Sequence, residues 1–207
     1  TDSIAAALVD MGVKKGDRVM VYMPNTPQFV IAFYGILRAG AVVVPTNPQY
    51  VPRELAYQAT DSGAETIVAL TMNWKTIKEA RSQSPFKRII LCNIKEYFPP
   101  LLKVLFTVAK EKKEGHRPDV SGEPGIYDFQ TLLKEPGNLT PVAVKQEDIA
   151  VLGYTGGTTG VSKGAMLSHR NLAAQAAITL AWFTNSKMGK DIYMGALPLF
   201  HSFGMTC

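Results

Sequence analysis

"RVMVYMPNTPQFVIAFYGILRAGAVVVP", residues 18–45, holds a strand, a helix and a second strand in one short stretch. The apolar, β-branched run at 18–23 reads as a buried strand. Thr26 offers an N-cap, Pro27 fits the first helical turn, and Gly40 supplies a stop. Between them Val30, Phe33, Tyr34 and Leu37 recur at helical spacing, the stripe expected to pack on a sheet. The next strand follows at 41–45. A strand, a helix and a strand in this order imply a parallel pair with a crossover over one sheet face, right-handed by default.

The pattern repeats outward. Pro52 opens a helix through Leu55, Ala56 and Ala59 that closes at Gly63. "ETIVAL" (65–70) is a strand, a helix follows at about 73–82, and "RIILCN" (88–93) is another strand. This alternation predicts a doubly wound α/β fold, a mainly parallel sheet flanked by helices, with residues 1–94 as its first half. Residues 95–146 break the rhythm and read as an irregular insertion. Its "EYFPPLLKVLFTVAKEKKEG" (96–115) is an apolar helix with a basic tail, ahead of a Pro/Gly-rich stretch at 116–125. That helix is either a membrane-surface or acyl-access element, or an insertion helix packed on its own domain. Residues 147–207 resume the alternation. A strand at 148–154 runs into a glycine-rich loop, and Ser168 caps a helix with Leu172, Ala176, Leu180 and Phe183 on one face. "DIYMGALPLFH" (191–201) then reads as a further strand.

Composition narrows the function classes. The 207 residues are 46% hydrophobic and 19% charged, which supports a sizeable core and excludes a wholly disordered chain. The net charge of +5 suits an anionic ligand or surface, but no Lys/Arg run interleaves with aromatics, so nucleic acid is not expected. Cys92 and Cys207 give neither a disulfide framework nor metal-ligand spacing; free thiols in a reducing cytoplasm are the better reading. The sequon at Asn138 reads as chance. No apolar run is long enough to span a bilayer. The sequence starts inside a helical pattern without Met and stops without terminal punctuation, so a piece of a longer protein is expected.

The chemistry concentrates in "YTGGTTGVSKG" (154–164), which has four glycines, three threonines, one lysine and no acid. Gly156, Gly157 and Gly160 let backbone N–H groups approach a ligand closely. Thr155, Thr158 and Thr159 add hydroxyl donors, and Lys163 adds a full charge. Donors and positive charge without an acid suit a polyphosphate. A Walker loop would end Gly-Lys-Ser/Thr, whereas Lys163 lies between Ser162 and Gly164, so a P-loop kinase fails on motif order. The region near Ser202 lacks the Gly-x-Ser-x-Gly elbow of a hydrolase.

At these residues the sequence resembles the adenylate-forming, AMP-binding acyl-CoA synthetases. "YTGGTTGVSKGAMLSHRNL" is similar to their signature YTSGTTGxPKG and the helix start after it, with Gly156 for the usual serine and Ser162 for the usual proline. Residues 12–65 resemble the start of the family's large N-terminal domain, and "LPLFHSFGM" (197–205) its histidine-bearing segment. In overall look the nearest members are medium- to long-chain fatty-acid–CoA ligases. The resemblance implies activation of a fatty acid by ATP and Mg2+ to an acyl-adenylate, then transfer to coenzyme A. It implies that Thr155, Gly156, Gly157, Thr158, Thr159, Gly160 and Lys163 clamp the β- and γ-phosphates, that Thr155 touches magnesium, and that His201 lies beside the acyl-adenylate. Ser202, Phe203 and Gly204 would line the acyl entrance. Some long-chain relatives carry a tryptophan gate four residues after this histidine; Met205 stands there, so gating does not carry over. His169 reads as structural and His116 shows no partner. The family's ribose-binding aspartate, magnesium-binding acid and C-terminal lysine are not in these 207 residues, so the chain alone is not expected to turn over substrate. An uncovered apolar face makes self-association or poor solubility the expectation. An aryl-acid ligase or adenylation domain is the alternative within the class; a non-catalytic nucleotide-binding or interaction module is the alternative outside it.

Overall fold

The computed structural model describes residues 1–134, 142–155, 161–185, 187, 189–192 and 194–206. Among them one seven-stranded sheet runs in the order β5-β4-β3-β1-β2-β6-β7. Its strands are β1 (Arg18–Tyr22), β2 (Val42–Thr46), β3 (Thr66–Leu70), β4 (Arg88–Cys92), β5 (Ile126–Asp128), β6 (Ile149–Thr155) and β7 (Lys163–Ser168). Every pairing is parallel except β6 with β7. The expected doubly wound α/β architecture is present.

Helices cover both faces of the sheet's centre. On one side α1 (Asp2–Asp10), α2 (Pro27–Arg38) and α6 (Phe129–Lys134) contribute Ile4, Leu8, Ala32, Ile36 and Phe129 to a buried cluster with Val19 and Val21. On the other, α3 (Pro52–Ser62) and α4 (Trp74–Arg81) pack Leu55, Ala59 and Ile77 on Met20 and Tyr22. Successive β1 residues thus enter opposite cores, which is why the strand is continuously apolar rather than alternating. Outside these layers lie α5 (Pro100–Ala109), α7 (His169–Trp182) and α8 (Ser202–Thr206).

Local chemistry fixes the helix ends. Thr26 is extended and its Oγ1 accepts from the Phe29 N–H at 3.3 Å, with Pro27 as first helical residue; such a cap contributes about 1 kcal/mol. Helix α3 closes on Gly63 at φ 65°, a left-handed position that suits glycine. The Arg18 guanidinium lies against it, donating to the carbonyls of Ser62 at 2.8 Å and Gly63 at 3.0 Å, a cation set at the negative end of a helix dipole.

Three expectations need correction. The buried face of α2 is Phe29, Ala32, Phe33 and Ile36, whereas Val30 and Tyr34 are exposed. The Phe29–Phe33 ring stack takes the inward positions and turns the predicted stripe by about one residue. Second, β6 leads into an antiparallel return strand, β7, and only then a helix, so the glycine-rich loop bridges a hairpin instead of opening a helix. Third, no strand forms among the described residues of 191–201. The Asn25 side chain takes the carbonyls of Gly195 and Leu197 and the N–H of Leu199, backbone groups that a ladder would use. Leu180 of α7 and Phe183 just past its end are exposed in this chain.

Within 95–146 the sheet continues, since β5 extends it beside β4 and Phe129 of α6 is fully buried. His116 has partners after all. It is buried, its ring meets Phe106 edge to face at 5.2 Å, and its Nδ1 lies 3.4 Å from the Thr71 hydroxyl. Residues 135–141, including the Asn138 sequon, lie outside the described residues.

Candidate functional site

Strand order reverses between β1 and β3, where an open α/β sheet leaves a crevice beyond its strand ends. Here the chain fills that notch itself. Asn73 Nδ2 donates to the Tyr22 carbonyl at 3.3 Å, and the His116 ring sits beside Thr71. The candidate site lies further along the same carboxyl edge, at the end of β6.

The hairpin stem places the first and last residues of the predicted phosphate loop. Thr155 stands opposite Lys163, and Tyr154 opposite Gly164. Directly opposed residues project to the same face with Cβ atoms about 5 Å apart. Both Thr155 and Lys163 are exposed. Lys163 forms no ion pair with any described residue, so its charge is available to a ligand. Gly156, Gly157, Thr158, Thr159 and Gly160 lie outside the described residues.

Helix α3 holds the stem. The Tyr57 hydroxyl donates to the Ser162 carbonyl at 2.9 Å, and the Tyr154 hydroxyl donates to Asp61 Oδ2 at 2.6 Å. Tyr57 and Asp61 are one helical turn apart and so share a face. Ser162 Oγ closes the base of the loop by donating to the Thr155 carbonyl at 2.8 Å. Burial, reinforced by the Asp61 carboxylate, pushes the Tyr154 phenol well above its ordinary pKa, so it stays a donor at neutral pH. Its ring lies over Gly164, where an added Cβ would come within 3.1 Å of Cε2. Lys163 therefore sits between two fixed neighbours on a braced strand.

His201 reaches the same edge by another route. Asn25, just beyond β1, donates through Nδ2 to the carbonyls of Gly195 at 2.9 Å and Leu197 at 2.8 Å. Its Oδ1 accepts from the Leu199 N–H at 2.8 Å. Leu199, Phe200 and Met205 then pack on the α2 side of the core, and Leu199, Met205, Phe33 and Tyr34 border a cavity of about 190 Å³. His201 itself is exposed. Its Nδ1 accepts from the Phe203 N–H at 3.4 Å, which puts the neutral ring's proton on Nε2. Strands β1 and β6 are separated only by β2, so at strand spacing their carboxyl ends lie about 10 Å apart along the edge. His169 heads α7, its N–H donating to the Asp148 carbonyl at 3.0 Å.

Asn25, Tyr57 and Asp61 were not singled out by sequence. Asn25 reads locally as the residue before a helix cap, and Tyr57 and Asp61 as the polar face of α3. Their partners lie 170, 105 and 93 residues away. The strongest sequence signal available was the Tyr154 ring next to a glycine loop. For magnesium, no group of three or more His, Cys, Asp or Glu side chains gathers among the described residues. Thr155 alone offers one hydroxyl, too few oxygens for a protein-built site.

The profile of the family described as "AMP-binding enzyme" matches residues 1–207. The long-chain-fatty-acid–CoA ligase of Bacillus subtilis is 37% identical over 206 residues, 98% of this chain and 36% of the relative. That of Escherichia coli O157:H7 is 38% identical over 203 residues, 95% of this chain and 35% of the relative. The chain thus spans about a third of the length of the curated relatives it matches. A solved long-chain-fatty-acid–CoA ligase from Archaeoglobus fulgidus superposes with a TM-score of 0.73 at 30% identity, covering 99% of this chain and 35% of the other. The anthranilate CoA ligase AuaEII, at 22% identity and a TM-score of 0.72, shares the fold. A signature loop on a hairpin stem, set on a mostly parallel sheet and matched by the family profile from end to end, means that this chain belongs to the AMP-binding enzyme family.

Proposed function

We propose that the parent protein is an ATP-dependent fatty-acid–CoA ligase acting on medium- to long-chain acids. The observation that carries this reading is Lys163, exposed opposite Thr155 on a braced stem and without an ion pair among the described residues, in a chain whose relatives bear that name. In the first step a carboxylate oxygen bonds to the α-phosphorus of ATP, and the bond from that phosphorus to the bridging oxygen breaks. Negative charge builds on the departing pyrophosphate. Lys163 and Thr155, held on the braced stem, face that charge, and preorganised donors lower the barrier more than mobile ones could. In the second step the thiol of coenzyme A attacks the acyl carbon and AMP leaves.

His201, whose Nε2–H points away from its own backbone contact, is assigned to the acyl-adenylate, with Ser202, Phe203 and Gly204 at the acyl entrance. Gly156, Gly157, Thr158, Thr159 and Gly160 are assigned to the β- and γ-phosphates. Magnesium would arrive with the nucleotide, with Thr155 as its one protein contact. The division into 1–94, 95–146 and 147–207 belongs to the same reading, as do a cytoplasmic location, peripheral membrane contact and self-association.

The test is product formation by the full-length parent. With ATP, coenzyme A and palmitate it should release AMP, pyrophosphate and palmitoyl-CoA in equal amounts, and the 207-residue chain alone should release none. Turnover of benzoate or anthranilate in preference to palmitate would replace the fatty-acid reading by an aryl-acid one.

A further inference from the structure

Helix α5 is built inside out. Leu101, Val104, Leu105 and Val108 fall at i, i+3, i+4 and i+7, the spacing of a stripe that normally faces a core. All four are exposed, at 72%, 61%, 54% and 84%, and no residue of the helix is buried. The opposite side is the one that is fastened. The Phe106 ring meets Phe98 and His116 edge to face, and Lys95 Nζ donates to Thr107 Oγ1 at 3.0 Å.

The support beneath is specific and strong. Glu111 is only 3% exposed, and Lys95 and Arg117 reach it at 2.6 and 2.9 Å, with Asn93 Nδ2 donating at 2.9 Å. A rigid mount that turns leucines toward water is a presenting device.

The charges around the stripe say what it meets. From Phe98 through Lys110 there is no acid, while Lys103 lies on the helix and Lys110, Lys112 and Lys113 follow it. Lys112 and Lys113 have no ion pair among the described residues, and Lys110 has only an exposed contact with Glu114 at 3.5 Å. A second copy of this chain would bring these lysines against themselves. The helix follows β4, at the far end of the sheet from β7 and α7. No helix of the described residues is long and apolar enough to cross a membrane.

We infer that α5 is a docking surface for an anionic lipid bilayer, with Leu101, Val104, Leu105 and Val108 in the acyl boundary and Lys103, Lys110, Lys112 and Lys113 at the headgroups. Because the parallel strands all point the same way, α5 follows the carboxyl end of β4, on the edge that carries Thr155 and Lys163. This deepens the peripheral contact proposed for the parent, but docking itself needs only α5.

The experiment uses the full-length parent and flotation with vesicles of phosphatidylcholine, with and without phosphatidylglycerol. The parent should float with the anionic vesicles only, and added salt should release it. Leu101→Gln, Leu105→Gln and Val108→Gln together should lower partitioning about tenfold or more. Each of Lys110→Gln, Lys112→Gln and Lys113→Gln should lower it about fivefold. A Val108→Trp variant should shift its emission to the blue when anionic vesicles are added. Turnover of a short, water-soluble acid should be unchanged in every variant, which separates docking from acyl activation. Undiminished flotation of the triple apolar variant overturns the assignment. So does a Val108→Trp emission that is already blue and ignores lipid, since the parent itself would then cover α5. Self-association that needs the same residues and no lipid also overturns it.

Discussion

The centre of the sheet and its β6–β7 end solve different problems with the same chain. Around β1 and β3 both faces are covered by helices, and the side chains of Met20, Val21, Ile67 and Val68 are fully buried. At the other end β7 and α7 contain no buried residue, and the hairpin is tied back by hydroxyl contacts to α3. Apolar burial makes the first region stable, while directed hydrogen bonds hold the second in place. A loop that must receive a charged ligand needs the second arrangement, because burying its lysine would oppose the charge it supplies.

That contrast can be broken by substitution. In the 207-residue chain, Ile67→Ala should cost about 3 kcal/mol in urea unfolding, a cavity in a core that cannot collapse. Leu180→Ala on α7, 67% exposed, should change it by less than about 0.5 kcal/mol. Equal losses would mean that the two ends form one evenly packed body. In the parent, a larger loss at Leu180 would instead report that the remaining chain covers α7.

The mount under α5 sharpens the comparison, since it stabilises by charge in a buried setting. Glu111→Gln should cost about 3 kcal/mol, at the low end for a broken buried pair because Arg117 is partly exposed. Burial alone would raise the Glu111 carboxyl, but Lys95 and Arg117 outweigh it and hold it below its usual value. Its contribution is therefore complete above the ordinary carboxylate pKa and is lost as pH falls through the lower, folded value. His116 is shifted down by burial, so the unfolded chain binds its proton more readily, and stability there begins to fall as pH drops below about 6.5. Hydrogen exchange across 93–117 should show opening in that order, His116 first and Glu111 at lower pH. Opening that strengthens with rising pH would reverse both assignments.

Smaller effects than at Ile67 or Glu111 are expected at the polar ties of the candidate site. Asn25→Ala removes three hydrogen bonds at an exposed position and should lower the protection of the Leu199 amide by about 1–2 kcal/mol while leaving the sheet intact. Tyr154→Phe should loosen the hairpin stem by about 1 kcal/mol.

Much of this was legible in advance. The β-branched runs, Thr26, Pro27 and Gly63 specify elements through local chemistry, and all form where the pattern put them. What stayed hidden depended on distant partners. The strand expected at 191–201 was lost to Asn25, and the α2 stripe turned because Phe29 and Phe33 stack. The loop residues were recognisable as a motif, yet a glycine run says nothing about whether a helix or a return strand follows it. Short strand β5 was unreadable because three residues carry no period.

The central claim is that Lys163, held opposite Thr155, faces the charge of the departing pyrophosphate. Fatty-acid-dependent exchange of pyrophosphate into ATP, measured on the full-length parent carrying Lys163→Ala, tests it most directly. A loss of about a hundredfold at saturating ATP, with the fold intact by circular dichroism, is the expected result. Exchange at the wild-type rate would contradict it.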